Sequence, residues 1–213
     1  MKDIAIYGAG GLGDEVYCLI KQINNNNGNW NFIGFFDDNL FNKDSKTQKQ
    51  IIGDINVLNK WDSELNIVIA IGTPNTVYSI VSSITNKNVL FPNLFSPDII
   101  IMDKNLTSFG KGNIICSFCI ISCNTIIGDF NLVNFSSIIA HNSRIGNYNS
   151  IMPDVKISGN VTIGDMNFFG TSSVILQNIS IGNNTKIGAN SLVTLNTKDN
   201  NTYIGNPARV FNF

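Results

Sequence analysis

An apolar residue falls on every sixth position from Ile115 to Val193, through Ile121, Ile127, Val133, Ile139, Ile145, Ile151, Ile157, Ile163, Phe169, Ile175, Ile181 and Ile187. Within that run the pairs Ile127-Gly128, Ile145-Gly146, Ile163-Gly164 and Ile181-Gly182 recur every eighteen residues. A period of six nested in eighteen describes a chain that turns three corners per circuit and stacks each circuit on the last. Asp129, Asn147, Asp165 and Asn183 follow the glycines at one phase, as corner chemistry requires. The position four after each apolar residue is mostly small (Ser, Thr, Val or Asn), which lets flat strands pack into a narrow prism.

Before the repeat the pattern changes. Ile4–Tyr7 reads as a short buried strand that enters Gly8-Ala9-Gly10-Gly11-Leu12-Gly13, followed by a helix with Val16, Leu19, Ile20 and Ile23 on one face. This G-x-G-x-x-G turn lets backbone approach a phosphate at a helix N-terminus, or serves only a tight strand-to-helix turn. Asn24–Asn27 ends the helix as a loop. Phe32–Phe36 is a second strand, finishing in Asp37-Asp38, where acidic side chains suit a ribose or base contact or simply a solvated turn. Asn42–Gln50 reads as a polar loop. Ile67–Ile71 reads as a third strand running into Gly72-Thr73-Pro74, with a helix over Val77–Ile84. Val89–Pro97 is a connection, since Pro92 and Pro97 suit neither regular element. The expected division is an α/β nucleotide-binding domain over residues 1–95, a repeat domain over 96–194 and a tail over 195–213.

Of the 213 residues, 43% are hydrophobic and only 14% charged, for a net charge of −1, which argues against an electrostatic nucleic-acid binder. The N-terminal apolar run is too short for a signal peptide and no stretch is long enough to span a membrane, so a reducing cytoplasm is the expected location. Cys116 and Cys119 form a lone C-x-x-C without a second pair or a histidine nearby, and no metal site is expected.

Counting by eighteen stacks His141, the only histidine, between Cys123 and Gly159, with Gln177 beyond, at about 4.8 Å per step of a parallel ladder. Asn142 falls in a column of asparagines with Asn124, Asn160 and Asn178. An imidazole beside a glycine is chemically useful: the ring takes a proton near neutral pH, and the missing Cβ leaves a backbone N–H open to an oxyanion. An inert surface histidine fits the same spacing, and stacking also permits a Cys123–His141 nucleophilic pair, against which stands a small buried thiol.

The glycine turn, Phe36-Asp37-Asp38, Ala70-Ile71-Gly72, the His141 segment, Ser158-Gly159-Asn160-Val161 and the tail Gly205-Asn206-Pro207-Ala208-Arg209 together resemble the sugar O/N-acyltransferases of the sialic-acid and bacillosamine type. The resemblance implies a Rossmann-like α/β domain followed by a left-handed parallel β-helix of hexapeptide repeats, assembled as a homotrimer. It implies transfer of acetyl from acetyl-CoA to the 4-amino group of a nucleotide-linked 4-amino-4,6-dideoxy sugar for surface glycan biosynthesis, without a metal. His141 is then the base, assisted by Asn142, and the Gly159 amide is the oxyanion donor. Gly8, Gly10, Gly11, Leu12, Asp37, Asp38, Gly72, Thr73 and Asn134 would hold the nucleotide sugar. Acetyl-CoA would lie along Ser150, Gly159, Gly170, Thr171, Gly188 and Ala189, with the tail packed near that groove. Three positions depart from the family pattern: Asn142 stands where Glu or Asp is usual, Ser150 where a second histidine is frequent, and Leu12 where the turn commonly has histidine. O-acetylation of a related sugar, a non-catalytic nucleotide-sugar scaffold and a nicotinamide-dependent enzyme are the competing readings.

Overall fold

The computed structural model describes residues 1–41 and 49–211. Strands β1 (Lys2–Tyr7), β2 (Trp30–Phe36), β3 (Ile51–Gly53), β4 (Leu65–Ile69) and β5 (Val89–Leu90) form one parallel sheet in the order β3-β2-β1-β4-β5. Helices α1 (Gly11–Asn25), α2 (Ile55–Asn59) and α3 (Pro74–Ser83) connect them. The strands of this sheet are buried hydrophobic runs, as a parallel sheet covered on both faces requires: Ile4 to Tyr7 and Leu65 to Ile69 are all buried.

Several boundaries differ from expectation. Helix α1 continues into the asparagine run as far as Asn25. The strand expected at Ile67–Ile71 is Leu65–Ile69, the fourth in the chain, because β3 and α2 precede it. Both were missed because they are short; α2 owes its start to Asp54, whose carboxylate accepts the N–H groups of Asn56 and Val57. The Val89–Pro97 connection contains β5 and the first repeat strand, β6 (Leu94–Phe95), so its two prolines flank strands rather than exclude them. Of the expected Asn42–Gln50 loop, positions 42–48 lie outside the described residues.

From Leu94 the chain winds a β-helix of two-residue strands with three faces. Face I carries Leu94–Phe95, Ile114–Ile115, Leu132–Val133, Ser150–Ile151, Phe168–Phe169 and Lys186–Ile187. Face II carries Ile100–Ile101, Ile120–Ile121, Ile138–Ile139, Lys156–Ile157, Val174–Ile175 and Leu192–Val193. Face III carries Ser108–Phe109, Ile126–Ile127, Arg144–Ile145, Thr162–Ile163 and Ser180–Ile181. Paired strands stand eighteen apart, as in Ile121↔Ile139↔Ile157. The first circuit is longer, with Leu94 opposite Ile114 and Ile100 opposite Ile120, the extra residues being taken up in a turn around the Asp103 carboxylate. All fourteen apolar residues of the six-residue phase point inward into one core.

Each corner bends through a residue in the left-handed region, again every six positions: Asn124 (φ 53°), Phe130, Ser136, Asn142 (φ 58°), Tyr148, Asp154 and Asn160 among them. Asparagine tolerates this conformation better than most side chains, which is a sufficient reason for it at 124, 142, 160 and 178. The Ile-Gly pairs lie at the III–I corner. There the Asn147 carboxamide oxygen accepts the Asp129 N–H at 2.8 Å, and the Asp165 carboxylate accepts the Asn147 N–H at 2.7 Å. A Cβ at Gly128 or Gly146 would collide with the side-chain oxygen coming from the next circuit, so glycine makes room for this ladder.

A second ladder runs inside the same corner and corrects the expectation that its positions need only be small. Asn113, Asn131, Asn149 and Asn167 are fully buried, each oxygen accepting the backbone and side-chain N–H of the next asparagine at 2.9–3.1 Å. Thr185 N–H closes the ladder on Asn167 at 2.7 Å. The tail, after an irregular stretch over 194–201, forms the strands Thr202–Gly205 and Ala208–Val210, which extend face I beyond Lys186–Ile187 and contribute Tyr203 and Ala208 to the core.

The outward side of face I is apolar over its first circuits, at Leu94, Ile114 and Leu132, and is covered there by the α/β domain. Val16, Leu19 and Ile20 of α1 share a core with Leu94, Ile114, Cys116 and Leu132, while Tyr7, Ile69 and Val77 share one with Phe130. Phe130 stacks on Tyr148, whose ring meets Tyr78 edge-on. Replacing Asn149 by alanine leaves two buried Asn167 donors unpaired, at about 1–3 kcal/mol each. The expected outcome is a clear fall in the urea midpoint of Asn149→Ala with the slope unchanged; a midpoint equal to wild type would show that the ladder contributes nothing to stability.

Candidate active site

The four glycines of the turn over residues 8–13 differ in what packing asks of them. Gly8 has φ +105°, and a Cβ there would stand 2.8 Å from the Ala70 carbonyl oxygen, so it permits the turn and the approach of the β4 loop. Gly13 lies so close to the Gly8 carbonyl that any Cβ would overlap it; it allows α1 to pack on β1. Gly10 and Gly11 are exposed, with only open space where a Cβ would be. Packing among the described residues does not demand glycine at these two positions. Gly10 is the N-cap of α1 and supplies no side-chain cap, leaving the first-turn amides to face outward.

The acidic pair is engaged within the protein. Asp37 Oδ2 accepts the Ala9 N–H at 3.0 Å and its Oδ1 accepts from Asn39 and Leu40, so it clamps the end of β2 to the glycine turn. Asp38 accepts from the Tyr7 hydroxyl at 2.7 Å and from Ile55 N–H. Burial, then the Asp38 carboxylate, pushes the Tyr7 phenol well above its ordinary range. Sequence reasoning missed Lys49, whose ammonium donates to the carbonyls of Ala9 (2.5 Å) and Gly10 (3.3 Å) and pairs with Asp14 at 2.7 Å. It puts a positive charge on the glycine turn. A single lysine inside a polar stretch carries no pattern by which to recognise it.

The turn after β1 and the turn after β4 lie at the carboxyl edge where the sheet order reverses direction, the usual ligand mouth of such sheets. Gly72 is open except for the Met152 methyl 4.0 Å away, and Thr73 is the exposed N-cap of α3. Met152 belongs to the I–II corner column that also holds Cys116, Asn134, Gly170 and Gly188. Beside it a cavity of about 230 Å³ runs between α1 and the prism, lined by Leu12, Glu15, Leu19, Cys116 and Phe135 among others. The mouth of the α/β domain therefore opens toward the I–II corner. Asn134, buried there, accepts the Phe135 N–H at 2.8 Å. Gly170 lies 2.5 Å, measured from a Cβ, from the Ala189 nitrogen, and Gly188 lies under Ile204 of the tail, so both have packing reasons to be glycine; Thr171 and Ala189 are exposed beside them.

His141 occupies the other edge of face II, the II–III corner, exposed. Its ring lies over Gly159, where a Cβ would stand 2.6 Å from Cε1 and 2.7 Å from Nε2. Gly159 is thus the residue that lets the imidazole lie flat on the next circuit. Asn160 N–H and the Gly159 carbonyl continue the corner ladder, to His141 O at 2.9 Å and from Asn178 N–H at 3.1 Å. The Gly159 N–H donates to no other described residue. Asn142 Nδ2 is 3.1 Å from His141 Nδ1, and Asn124 Nδ2 donates to Asn142 Oδ1 at 2.7 Å. Cys123 Sγ accepts from Ser122 and makes no hydrogen bond to His141 among the described residues. Burial pushes Cys116 up to about 12 and Cys119 up to about 11, keeping both thiols protonated, and Cys119 donates to the Asn134 carbonyl at 3.1 Å.

One chain does not bring all the expected residues together. His141, Asn142 and Gly159 share one corner; Asn134, Gly170, Thr171, Gly188 and Ala189 share another, next to the ligand mouth. Between them lies the width of face II, about 15–20 Å for six residues at strand rise. Ser150 is at neither corner: it is buried on face I beneath the α/β domain.

Residues 3–84 match the family described as PglD N-terminal domain, and residues 160–194 match bacterial transferase hexapeptide (six repeats). The first match falls on the α/β domain and the second on the last circuits of the prism. Among solved structures, this hexapeptide-repeat chain is similar over its whole length to WeeI from Acinetobacter baumannii AYE, with 28% identity, a TM-score of 0.87 and coverage of 99% of this chain and 100% of that one. The acetyltransferase domain of PglB from Neisseria gonorrhoeae FA1090, in complex with acetyl coenzyme A, matches with 24% identity, a TM-score of 0.87 and 99% coverage of both chains. PerB from Caulobacter crescentus, in complex with CoA and GDP-perosamine, matches with 20% identity, a TM-score of 0.82 and coverage of 100% of this chain and 98% of that one. No curated protein sequence is matched. No helix among the described residues is long and apolar enough to cross a membrane, and no group of metal-ligating side chains occurs among them.

The separate roles of the glycines have a direct test. Serine at position 10 is a good N-cap, so Gly10→Ser is expected to keep or raise stability by about 0.5 kcal/mol while weakening binding of UDP, dTDP or GDP in calorimetry. Gly13→Ala should instead lower the thermal midpoint, and unchanged stability in that variant would remove the packing explanation.

Proposed function

We propose that this protein is an acetyl-CoA-dependent N-acetyltransferase acting on the 4-amino group of a nucleotide-linked 4-amino-4,6-dideoxy sugar. The observation that carries the reading is His141: an exposed imidazole lying on a buried glycine whose N–H has no hydrogen-bond partner among the described residues, on the same scaffold as an α/β domain with an uncapped helix N-terminus. The neighbours described as binding acetyl coenzyme A, CoA and GDP-perosamine support the ligand classes.

The geometry supports a homotrimer as the working unit. The first circuits of face I are covered by the α/β domain, and the outward residues of face III are exposed and mostly polar: Ser108, Arg144, Thr162 and Ser180, with Ile126. Face II presents Ile100, Ile120, Ile138, Val174 and Leu192, interrupted only by Lys156. An apolar face without a partner in the chain fits another copy of itself. Three prisms packed with face II toward a common axis place the II–III corner of each against the I–II corner of the next, because a rotation brings opposite edges together. His141 and Gly159 of one subunit would then meet the ligand mouth and the Asn134, Gly170–Thr171 and Gly188–Ala189 corner of its neighbour. The split between corners within one chain becomes a shared site.

In that site the sugar amine attacks the thioester carbonyl. A C–N bond forms, the amine proton passes to His141 Nε2, and the Gly159 N–H donates to the tetrahedral oxyanion. Collapse breaks the C–S bond, and the thiolate leaves to be reprotonated by the imidazolium. A base and an oxyanion donor each contribute a factor of about 10² or more. For Nε2 to act as the base, Nδ1 must carry the ring proton, which the oxygen of Asn142 can accept once that amide is turned toward the ring. Glycine turn amides and Lys49 would hold the diphosphate, and the cavity beside Leu12 and Phe135 lies where the deoxy sugar would enter. The bacterial cytoplasm, where both acetyl-CoA and nucleotide sugars are made, is the matching location. A non-catalytic nucleotide-sugar scaffold would need the glycine turn but not His141.

Thiol release from acetyl-CoA, followed over a panel of UDP-, dTDP- and GDP-linked amino sugars, is expected for at least one of them. His141→Ala should lose that activity by at least a hundredfold while still binding the nucleotide; full turnover in the variant would sink the mechanism. Ile138→Asp should shift the assembly from trimer to monomer in sedimentation and abolish turnover with the α/β domain still folded. An active monomer would remove the shared site.

A further inference from the structure

Asn142 and Asn124 form a short chain of amides that ends on the base. Asn124 Nδ2 donates to Asn142 Oδ1 at 2.7 Å, so the oxygen of Asn142 is turned away from the ring and its Nδ2 faces His141 Nδ1 at 3.1 Å. An amide nitrogen only donates. Nδ1 is therefore the acceptor, and the neutral ring carries its proton on Nε2. That tautomer has no lone pair on the nitrogen that faces solvent. The reverse polarity, with both amides rotated by half a turn, satisfies the same hydrogen bonds: Asn142 Nδ2 donates to Asn124 Oδ1, and Asn142 Oδ1 accepts Nδ1–H. Nε2 then becomes the base.

We infer that Asn124, one circuit away from the base, is a positioning residue whose amide orientation sets the tautomer of His141 through Asn142. The polarity in the structure is the resting one, and the site becomes competent when both amides rotate. A carboxylate beside the ring could be only an acceptor and would hold one tautomer permanently; a pair of amides has two states. Only Asn142 and Asn124 are joined in this way on the corner, and both side chains are exposed, so both amides have room to rotate. The inference rests on His141 being the base of the proposed reaction for its functional meaning, but the tautomer itself does not depend on any substrate.

Because His141 is the only histidine, its ring nitrogens can be read without assignment. Tag-free protein labelled with ¹⁵N-histidine, in buffer alkaline enough for the neutral ring, is expected to show the Nε2–H form. Asn124→Asp presents acceptors only, which forces Asn142 Nδ2 toward position 124 and its oxygen toward the ring, so this variant should show the Nδ1–H form. The substitution suits the backbone, since Asp154 occupies the equivalent position of another corner at φ 63°. Asn142→Asp supplies the reference spectrum of a ring whose Nδ1–H meets a carboxylate. A wild-type ring already in the Nδ1–H form, or an Asn124→Asp ring with the wild-type signature, overturns the inference. In turnover, Asn124→Asp should raise kcat about fivefold at unchanged KM, the ratio for one hydrogen bond of ordinary net strength. A fall in kcat with the tautomer switched would overturn the claim that the resting form is the incompetent one. Failure of every amino sugar to release thiol would defeat the acetyl-transfer reading and leave the ring spectra standing.

Discussion

The stacking of one circuit on the next, eighteen residues on, governs everything else in this molecule. It is held by inward Ile, Val and Phe side chains whose burial contributes on the order of 1.5–3 kcal/mol each, and by two asparagine or aspartate ladders that fix the register to the residue. A hydrophobic core by itself would tolerate slippage between circuits. An amide that must meet the N–H of one particular residue does not, because a slipped circuit would leave those buried donors unpaired. Glycine at the III–I corner is the consequence: the space its side chain would fill is used by the ladder.

That fixed register decides where the chemistry can be. It sets the imidazole of His141 on Gly159 and puts Asn142 and Asn124 in line with it. It also keeps His141 a full face away from the ligand mouth, since rigid prism corners do not move toward one another. The apolar residues on face II offer a resolution in which separation within one chain becomes proximity between chains. Side chains borne by a stiff scaffold gain in precision what they lose in adaptability, and the exposed amide pair beside His141 has two orientations of its own.

Much of this was legible before folding. The six-residue phase identified fourteen inward core residues from Ile115 to Val193, though not Cys119, Val155, Val161 and Ile179 between them, and counting by eighteen placed His141 over Gly159. The α/β domain was legible from its buried runs and glycine turn, but not β3 and α2, which are too short to show a period. The asparagines at 113, 131, 149 and 167 were in plain view as small residues; their role as a buried ladder was not, because it depends on which neighbours remain unpaired. Asp37 and Asp38 were read as ligand contacts, and the sequence did not show that Ala9, Tyr7 and Ile55, partners distant in the chain, also engage them. Lys49 was invisible for the same reason.

The sequence by itself determined the prism, its register and the pairing of the imidazole with a glycine, because these follow from a periodicity that repeats along the chain. It also determined that the residue after His141 is an uncharged amide, Asn142. Only the tertiary structure decided which glycines of the turn are needed for packing and which leave room for a ligand, because that depends on atoms brought in from β4 and α1. It alone decided that the two groups of candidate residues stand on different corners and that Asn124 reaches His141 through Asn142. Those facts are distances between side chains on separate circuits, and a linear period says which residues stack without saying which way their amides turn.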